Sequence, residues 1–166
     1  MNVKKITILS FLIALNVVLT RVLSFETTTI RISFAFLPIA IGGVMFGPVW
    51  GGAAAALADV IGMALLPKAQ FFPGFTISAF LTGAVYGLLA RGNKATAARV
   101  FIASAIVCVV INFGLDTLWL SMLYDRGVLA MLPGRVVKNA VMLAVQPALI
   151  LITLKALKIR IGAAER

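Results

Sequence analysis

The sequence predicts an all-α integral membrane protein, built as a bundle of six transmembrane helices. Two observations predict this class. Of the 166 residues, 62% are hydrophobic and only 12% are charged, whereas soluble domains are about half apolar and about a quarter charged. Because one spanning helix takes about 20 residues, six helices with short turns use nearly the whole chain. We therefore expect residues 1–166 to form one domain.

The composition also excludes several kinds of chemistry. Histidine is absent and Cys108 is the single cysteine, so neither a disulfide framework nor a cysteine metal cluster can form. No nucleotide-binding loop, nucleophile elbow or pair of catalytic carboxylates occurs. The net charge of +10 comes from basic residues at segment ends, which indicates membrane topology rather than nucleic acid binding. We expect no cofactor, no metal and no enzyme activity.

The apolar runs and their breaks predict the helices in order. The first covers residues 6–20 behind Lys4 and Lys5, and no small-residue cleavage site follows it, so we expect it to be retained. A long charge-free stretch is broken at Gly47-Pro48, where proline ends a helix. The predicted helices are residues 6–20, 32–46, 49–66, 74–90 and 100–124, and a sixth whose charge-free part is 139–154.

The basic residues predict an orientation in the cell membrane. Nine of the fifteen lie on one side if both termini are cytoplasmic, as the positive-inside rule favours. The other six then lie at the outer face, where the rule predicts few: Arg21, Arg31, Lys68, Arg126, Arg135 and Lys138. Such a cluster forms a positive vestibule that attracts anions, which predicts an outward-facing ligand pocket. Snorkelling to headgroups is an equal alternative for Arg21, Lys68 and Arg126.

A polar stripe runs along the sixth segment at helical spacing. Its members are Arg135, Lys138, Asn139, Met142 and Gln146. Amides are costly in lipid unless they face a partner helix or a wet cavity. Structural packing between helices is one interpretation, but the two cations at the outer end favour a ligand-facing surface.

Segment five repeats this pattern with Asn112, Asp116 and Trp119 on one face. Asp116 can accept from N–H groups of a ligand or neutralise Arg31 or Arg135. Asn112 offers a donor and an acceptor to a heteroaromatic ring, and Trp119 can stack on that ring or anchor the interface. The loop at Phe71 and Phe72 can act as an apolar lid or as interface packing.

Three further patterns predict packing rather than chemistry. Asp59, deep in segment three among small residues, is expected to be a structural partner. Ala79, Gly83 and Gly87 place a small residue at every fourth position of segment four, which lets backbones approach closely. Ser10, Ala14 and Val18 repeat the spacing more weakly in the first helix, where the stripe can face a partner protein.

Six short motifs together resemble the substrate-binding S components of energy-coupling factor (ECF) vitamin transporters, and within them the folate-specific branch. They are RISFAFLPI from residue 31, MFGP from 45, ADVIG from 58, FFPGFT from 71, LWLS from 118 and LPGRVVKN from 132. The resemblance implies a six-helix bundle that binds a vitamin from outside and docks on a scaffold protein with two ATPases. The first helix would face the scaffold, although Val18 stands where an ideal pattern has alanine.

The resemblance implies folate as the ligand, a flat pterin joined to a glutamate tail with two carboxylates. Asn112 and Asp116 would hold the pterin edge, and Trp119 with Phe71 and Phe72 would cover its faces. Arg31, Arg135 or Lys138 would pair with the tail, and Asn139 belongs to the same set. Alternatives are another vitamin such as pantothenate or riboflavin, an assembly subunit without a ligand, and a small enzyme acting on lipid headgroups through Asp59 and Asp116.

Overall fold

The computed structural model describes residues 3–26, 31–66, 72–92, 95–124 and 128–156, and these residues form six helices, as predicted. A short antiparallel hairpin joins β1 (Phe25–Glu26) to β2 (Arg31–Ile32). The helices are α1 (Val3–Arg21), α2 (Phe36–Phe46), α3 (Pro48–Leu65), α4 (Pro73–Leu89), α5 (Ala97–Tyr124) and α6 (Val128–Ala156).

Four of these helices, α1, α3, α5 and α6, are long and apolar enough to cross a membrane. The other two are shorter, because α2 has 11 residues and α4 has 17. The predicted start of the second helix at residue 32 is wrong, since Arg31–Ile32 pairs with Phe25–Glu26 as a strand. Arg31 therefore lies on a hairpin ahead of α2. We call this end of the bundle, where α1 and α5 end and α4 and α6 begin, the hairpin end.

Glycine packing joins α2, α3 and α4. A Cβ placed on Gly83 would come within 2.5 Å of the Gly51 carbonyl oxygen, and one on Gly43 within 2.6 Å of the Gly83 carbonyl oxygen. Such backbone contact is possible only without side chains. The α2–α3 turn also needs glycine, because Gly47 has a φ of 86°. The close packing predicted at Gly83 and Gly87 is confirmed, since Gly87 lies against Pro48.

The helix α5 changes its hydrogen bonding halfway along. Val107–Leu115 is π-helical, so its N–H groups bond to the carbonyl five residues earlier instead of four. The last of these bonds joins the Asp116 N–H to the Ile111 carbonyl. Where π-helical bonding returns to α-helical bonding, one carbonyl is left without a backbone N–H of its own helix. The Asn112 carbonyl, which follows the Ile111 carbonyl, lies at this transition.

The turn ahead of α2 is fixed to the end of α1. The Asn16 side-chain amide donates to the Ala35 carbonyl at 3.4 Å, and the Ser33 hydroxyl donates to the Leu19 carbonyl at 3.2 Å. These bonds hold the backbone between the hairpin and α2 against the bundle. They also satisfy groups that would be costly to leave unpaired away from water.

A buried ion pair ties α1 to α3 below the hairpin. Arg21 is 1% exposed, and its Nη2 lies 3.7 Å from Asp59 Oδ1, while the Thr76 hydroxyl donates to Asp59 Oδ2 at 2.8 Å. Asp59 is the structural partner that the sequence predicts. The snorkelling alternative for Arg21 is wrong, because Gly62 leaves room for its side chain inside the bundle. Lys68 and Arg126 lie outside the described residues.

Candidate ligand-binding site

Trp119 forms an aromatic wall at the hairpin end. Its ring centroid lies 5.7 Å from that of Phe72, and its indole N–H donates to the Ser78 hydroxyl at 3.2 Å. The ring lies so close to Gly74 that a Cβ there would come within 2.5 Å of it. Trp119 is thus held against α4, which suits a stacking surface. Phe71, the other predicted lid residue, lies outside the described residues.

Arg135 lies beside the two polar residues of α5. Its side chain is 3% exposed, and its Nη2 donates to the Asn112 carbonyl at 2.6 Å, the carbonyl at which π-helical bonding ends. The Asp116 carboxylate attracts the same guanidinium. The structure therefore brings three predicted site residues together. The side chain of Arg31, the alternative partner of Asp116, lies outside the described part.

Asn139 is a buried amide with unsatisfied hydrogen-bonding atoms. It is 8% exposed, and neither its Nδ2 nor its Oδ1 has a hydrogen-bond partner within the described residues. The same holds for the Nε atom of Arg135, one helical turn away on the same face of α6. Leaving a buried polar group unpaired costs about 1–3 kcal/mol, so this surface is suited to a guest with donors and acceptors.

Gln146, deeper on the same stripe, has a structural role. Its Nε2 donates to the Tyr86 hydroxyl at 2.7 Å, and the Cys108 thiol donates to its Oε1 at 3.3 Å. The Tyr86 hydroxyl also lies 3.1 Å from the Ser104 hydroxyl. These four side chains link α4, α5 and α6. The interpretation as helix packing is therefore confirmed at Gln146, whereas the ligand-facing interpretation of Arg135 and Asn139 stays a prediction.

Lys138, the other cation of the stripe, borders an apolar cleft. It lines a cleft of about 490 Å³ between α6 and the turn ahead of α2. The other residues that line this cleft are Ser33, Phe34, Phe36, Gly134, Val137, Val141, Met142 and Val145. Met142, which the sequence places on the polar stripe, thus borders this apolar cleft. Arg135, Asn139, Asn112, Asp116 and Trp119 are not among the described residues that line this cleft.

Sequence reasoning missed the contribution of α4 to this region. The Ser78 hydroxyl accepts a hydrogen bond from the Trp119 indole N–H, and the Thr82 hydroxyl donates to the Ser78 carbonyl. The Tyr86 hydroxyl accepts from Gln146. These three residues follow one another at spacings of four, which places them on one helix face. This spacing of polar residues along α4 is the sequence signal that could have predicted their role.

Comparisons with known proteins agree on one family. A family model described as the substrate-specific component of ECF transporters matches residues 4–154. The chain is 39% identical over 150 residues to the folate transporter FolT of Clostridium novyi (strain NT), covering 89% of this chain and 87% of that one. It is 33% identical over 152 residues to FolT of Leuconostoc mesenteroides subsp. mesenteroides, covering 88% and 82%.

A solved structure gives the same result at the level of the fold. The crystal structure of FolT bound with folic acid matches with a TM-score of 0.86 and 41% sequence identity. The match covers 90% of this chain and 91% of that one.

Proposed function

The chain belongs to the substrate-specific components of ECF transporters, and from that membership we propose that it binds folate at the hairpin end of its bundle for uptake. It is a transport subunit and not an enzyme. Proteins of this family work with an ECF module of scaffold and ATPases, which supplies the energy of ATP hydrolysis. The alternative of an enzyme acting on lipid headgroups is therefore wrong.

The observation that carries the assignment of the site is the buried polar surface of α6. Asn139 has an unsatisfied donor and an unsatisfied acceptor, and Arg135 adds a buried positive charge one turn away. A pterin edge carries adjacent donors and acceptors, and the folate tail carries carboxylates. A ligand of this kind offers partners to the amide and a counter-charge to the cation, which offsets the cost of burying them.

We assign the remaining predicted site residues by their chemistry. Asn112 and Asp116, next to Arg135, would hold the pterin edge together with Asn139. Trp119 and Phe72 would cover one face of the ring, and Phe71 is assigned to the same cover. The tail carboxylates would pair with Arg135, or with Arg31 or Lys138. Because Arg135 contacts the Asn112 carbonyl, we favour Arg135 as the residue that lies between the pterin and the glutamate tail.

The orientation is part of the same proposal. We place both termini in the cytoplasm and the hairpin end, with its pocket, on the outer face of the cell membrane. The basic residues support this placement, because Lys4, Lys5 and Lys155 lie at the end of the bundle opposite the hairpin, and basic segments stay cytoplasmic. The exposed stripe of Ser10, Ala14 and Val18 on α1 is the predicted contact with the scaffold protein.

Binding of folate and of a neutral pterin without the glutamate tail tests the proposal. Purified protein should bind folate tightly without ATP. We expect Arg135→Ala to weaken folate by about 10-fold to 150-fold, which is the loss of one charge-assisted hydrogen bond, and to weaken the tail-less pterin less. Asn139→Leu should weaken both ligands to a similar degree, because it acts on the ring. Titration calorimetry in detergent measures the dissociation constants of both ligands for the wild type and for each variant.

Two controls separate this result from unfolding and from orientation. Lys155→Ala removes an exposed cation from the opposite end of α6 and should leave folate binding unchanged. In sealed vesicles of known sidedness, folate should bind from the outside only. Equal losses of both ligands in Arg135→Ala would contradict the pose. Tight binding of pantothenate or riboflavin in place of folate would contradict the ligand itself.

A further inference from the structure

Gly74, at the start of α4, is in closer contact with Trp119 than a residue with a side chain would allow. A Cβ built on Gly74 would lie 2.5 Å from Trp119 Cδ2 and 2.8 Å from its Cγ, whereas carbon atoms in contact are about 3.5–4.0 Å apart. The Cε1 atom of Phe72 would lie 2.6 Å from the same point. Two aromatic rings therefore occupy the volume that a methyl group at position 74 would need.

The same distances show which part of the indole lies against Gly74. Cδ2 and Cγ are the two indole atoms nearest to the built Cβ. Cδ2 is bonded to three other ring atoms, so a neighbour in the plane of the ring would come closer to Cε3 than to Cδ2. The backbone of Gly74 therefore packs over one face of the Trp119 indole.

The edge of this indole is held one helical turn further along α4. The Trp119 N–H donates to the Ser78 hydroxyl at 3.2 Å, and Ser78 follows Gly74 by four residues, on the same side of the helix. The helix thus contacts the indole at one face and at its N–H, which fixes the plane of the ring. The second face is turned away from α4, and Trp119 as a whole is only half-buried.

We propose that Gly74 is a positioning residue of the binding site, which orients Trp119 so that a flat heteroaromatic ring stacks on its second face. This inference rests on the proposed function, in which the pterin is that ring. An indole that is already immobilised in the free protein loses little further side-chain freedom on binding. A side chain at position 74 would displace the indole, and the guest would lose its stacking partner.

Binding of folate and of a tail-less pterin to Gly74→Ala, to Trp119→Leu and to the double variant tests the proposal. Gly74→Ala should weaken both ligands by a similar factor of about 3 to 10, the range of one aromatic stacking contact. Because Gly74 acts through Trp119, the double variant should bind each ligand no more weakly than Trp119→Leu alone. Losses that multiply in the double variant would overturn the proposal.

A spectroscopic measurement separates positioning from a general loss of structure. The sequence contains two tryptophans, so Trp119 is the single one in a Trp50→Phe background. Gly74→Ala should shift the fluorescence of the ligand-free protein to longer wavelength, because the displaced indole leaves its contact with α4. Unchanged emission would overturn the proposal. The matched control is Gly42→Ala, whose Cβ would have its nearest neighbour at 3.7 Å, and it should change neither emission nor affinity.

Ser78→Ala is the second variant if Gly74→Ala does not fold. It removes the acceptor of the indole N–H and should weaken both ligands by about threefold, the effect of one neutral hydrogen bond, with no further loss in Trp119→Leu. Folate binding that Trp119→Leu leaves unchanged would overturn this inference and keep the proposed function. Binding of riboflavin in place of folate, with the same non-additivity, would contradict the proposed ligand and support the role of Gly74. A wild type that binds neither vitamin would overturn both.

Discussion

The two halves of the bundle pack by opposite means. In α2, α3 and α4, glycines bring backbone against backbone, and Gly43, Gly51 and Gly83 leave no space between the helices. In α5 and α6, long polar side chains and a π-helical segment hold the helices together. The described glycine contacts of the first half leave no room for side chains between the helices. The polar half combines the fixed lower network with buried groups of Arg135 and Asn139 that have no partner within the described residues.

The difference shows that two kinds of helix contact can hold one small bundle together. Without a hydrophobic driving force between helices in lipid, close contact and interhelical hydrogen bonds hold a bundle together. Glycine contact supplies a scaffold in one half. The Gln146 network then sets the register of α6 on α4 and α5 about two turns below Asn139, so the upper residues can leave their groups unpaired without loosening the helices.

The largest effect on stability is expected from a methyl group in the glycine half. Gly83→Ala places a Cβ within 3 Å of Gly51 and Gly52 backbone atoms, and a rigid backbone can only move apart. We expect a loss of about 3 kcal/mol of unfolding free energy, the upper part of the range for overpacking. Thermal unfolding in detergent checks this value.

The control for this substitution is Gly42→Ala on α2. A Cβ at Gly42 would have its nearest neighbour, Leu12 Cδ1, at an ordinary 3.7 Å. Alanine is also the better helix former, by about 1 kcal/mol. We therefore expect Gly42→Ala to be neutral or slightly stabilising. Similar losses at both glycines would mean that backbone contact is not what holds this half together.

A smaller effect is expected from the network that links α4 to the polar half. Tyr86→Phe removes a hydroxyl that Gln146 and Ser104 share, and it leaves the Gln146 amide without its acceptor. Interhelical hydrogen bonds in membranes contribute about 1 kcal/mol each, so we expect a loss of about 1–2 kcal/mol. Tyr124→Phe, at a more exposed position near the end of α5, should change stability by much less. The same thermal unfolding assay compares the two variants. An unchanged unfolding midpoint for Tyr86→Phe would mean that this hydrogen-bond network does not stabilise the bundle.

Much of this architecture could be predicted from the sequence. Charge-free runs and the Gly47-Pro48 break predicted six helices, because apolar length and proline chemistry act locally. The spacing of Gly83 and Gly87 predicted close packing, and the isolation of Asp59 predicted a structural partner. Each of these signals lies in a single segment of the chain.

The parts that the sequence did not predict depend on contacts between segments. Arg21 turns inward because Gly62 on another helix leaves room for it. Asn139 and Gln146 look alike on the stripe, and only Tyr86 and Cys108 opposite Gln146 distinguish them. The π-helical segment of α5 changes hydrogen-bond register without any break in the apolar pattern. The hairpin at Arg31 arises from pairing with Glu26, which helical spacing cannot indicate.

We propose that folate binds against Arg135 and Asn139 of α6, and a folate-bound structure of this protein tests that placement. The pterin should lie between Trp119, Asn112 and Asn139, with an Asn139 amide atom within about 3.2 Å of a ring atom. A tail carboxylate should face a cation of the hairpin end. Folate held only in the apolar cleft beside Val141, with Asn139 still unpaired, would contradict it.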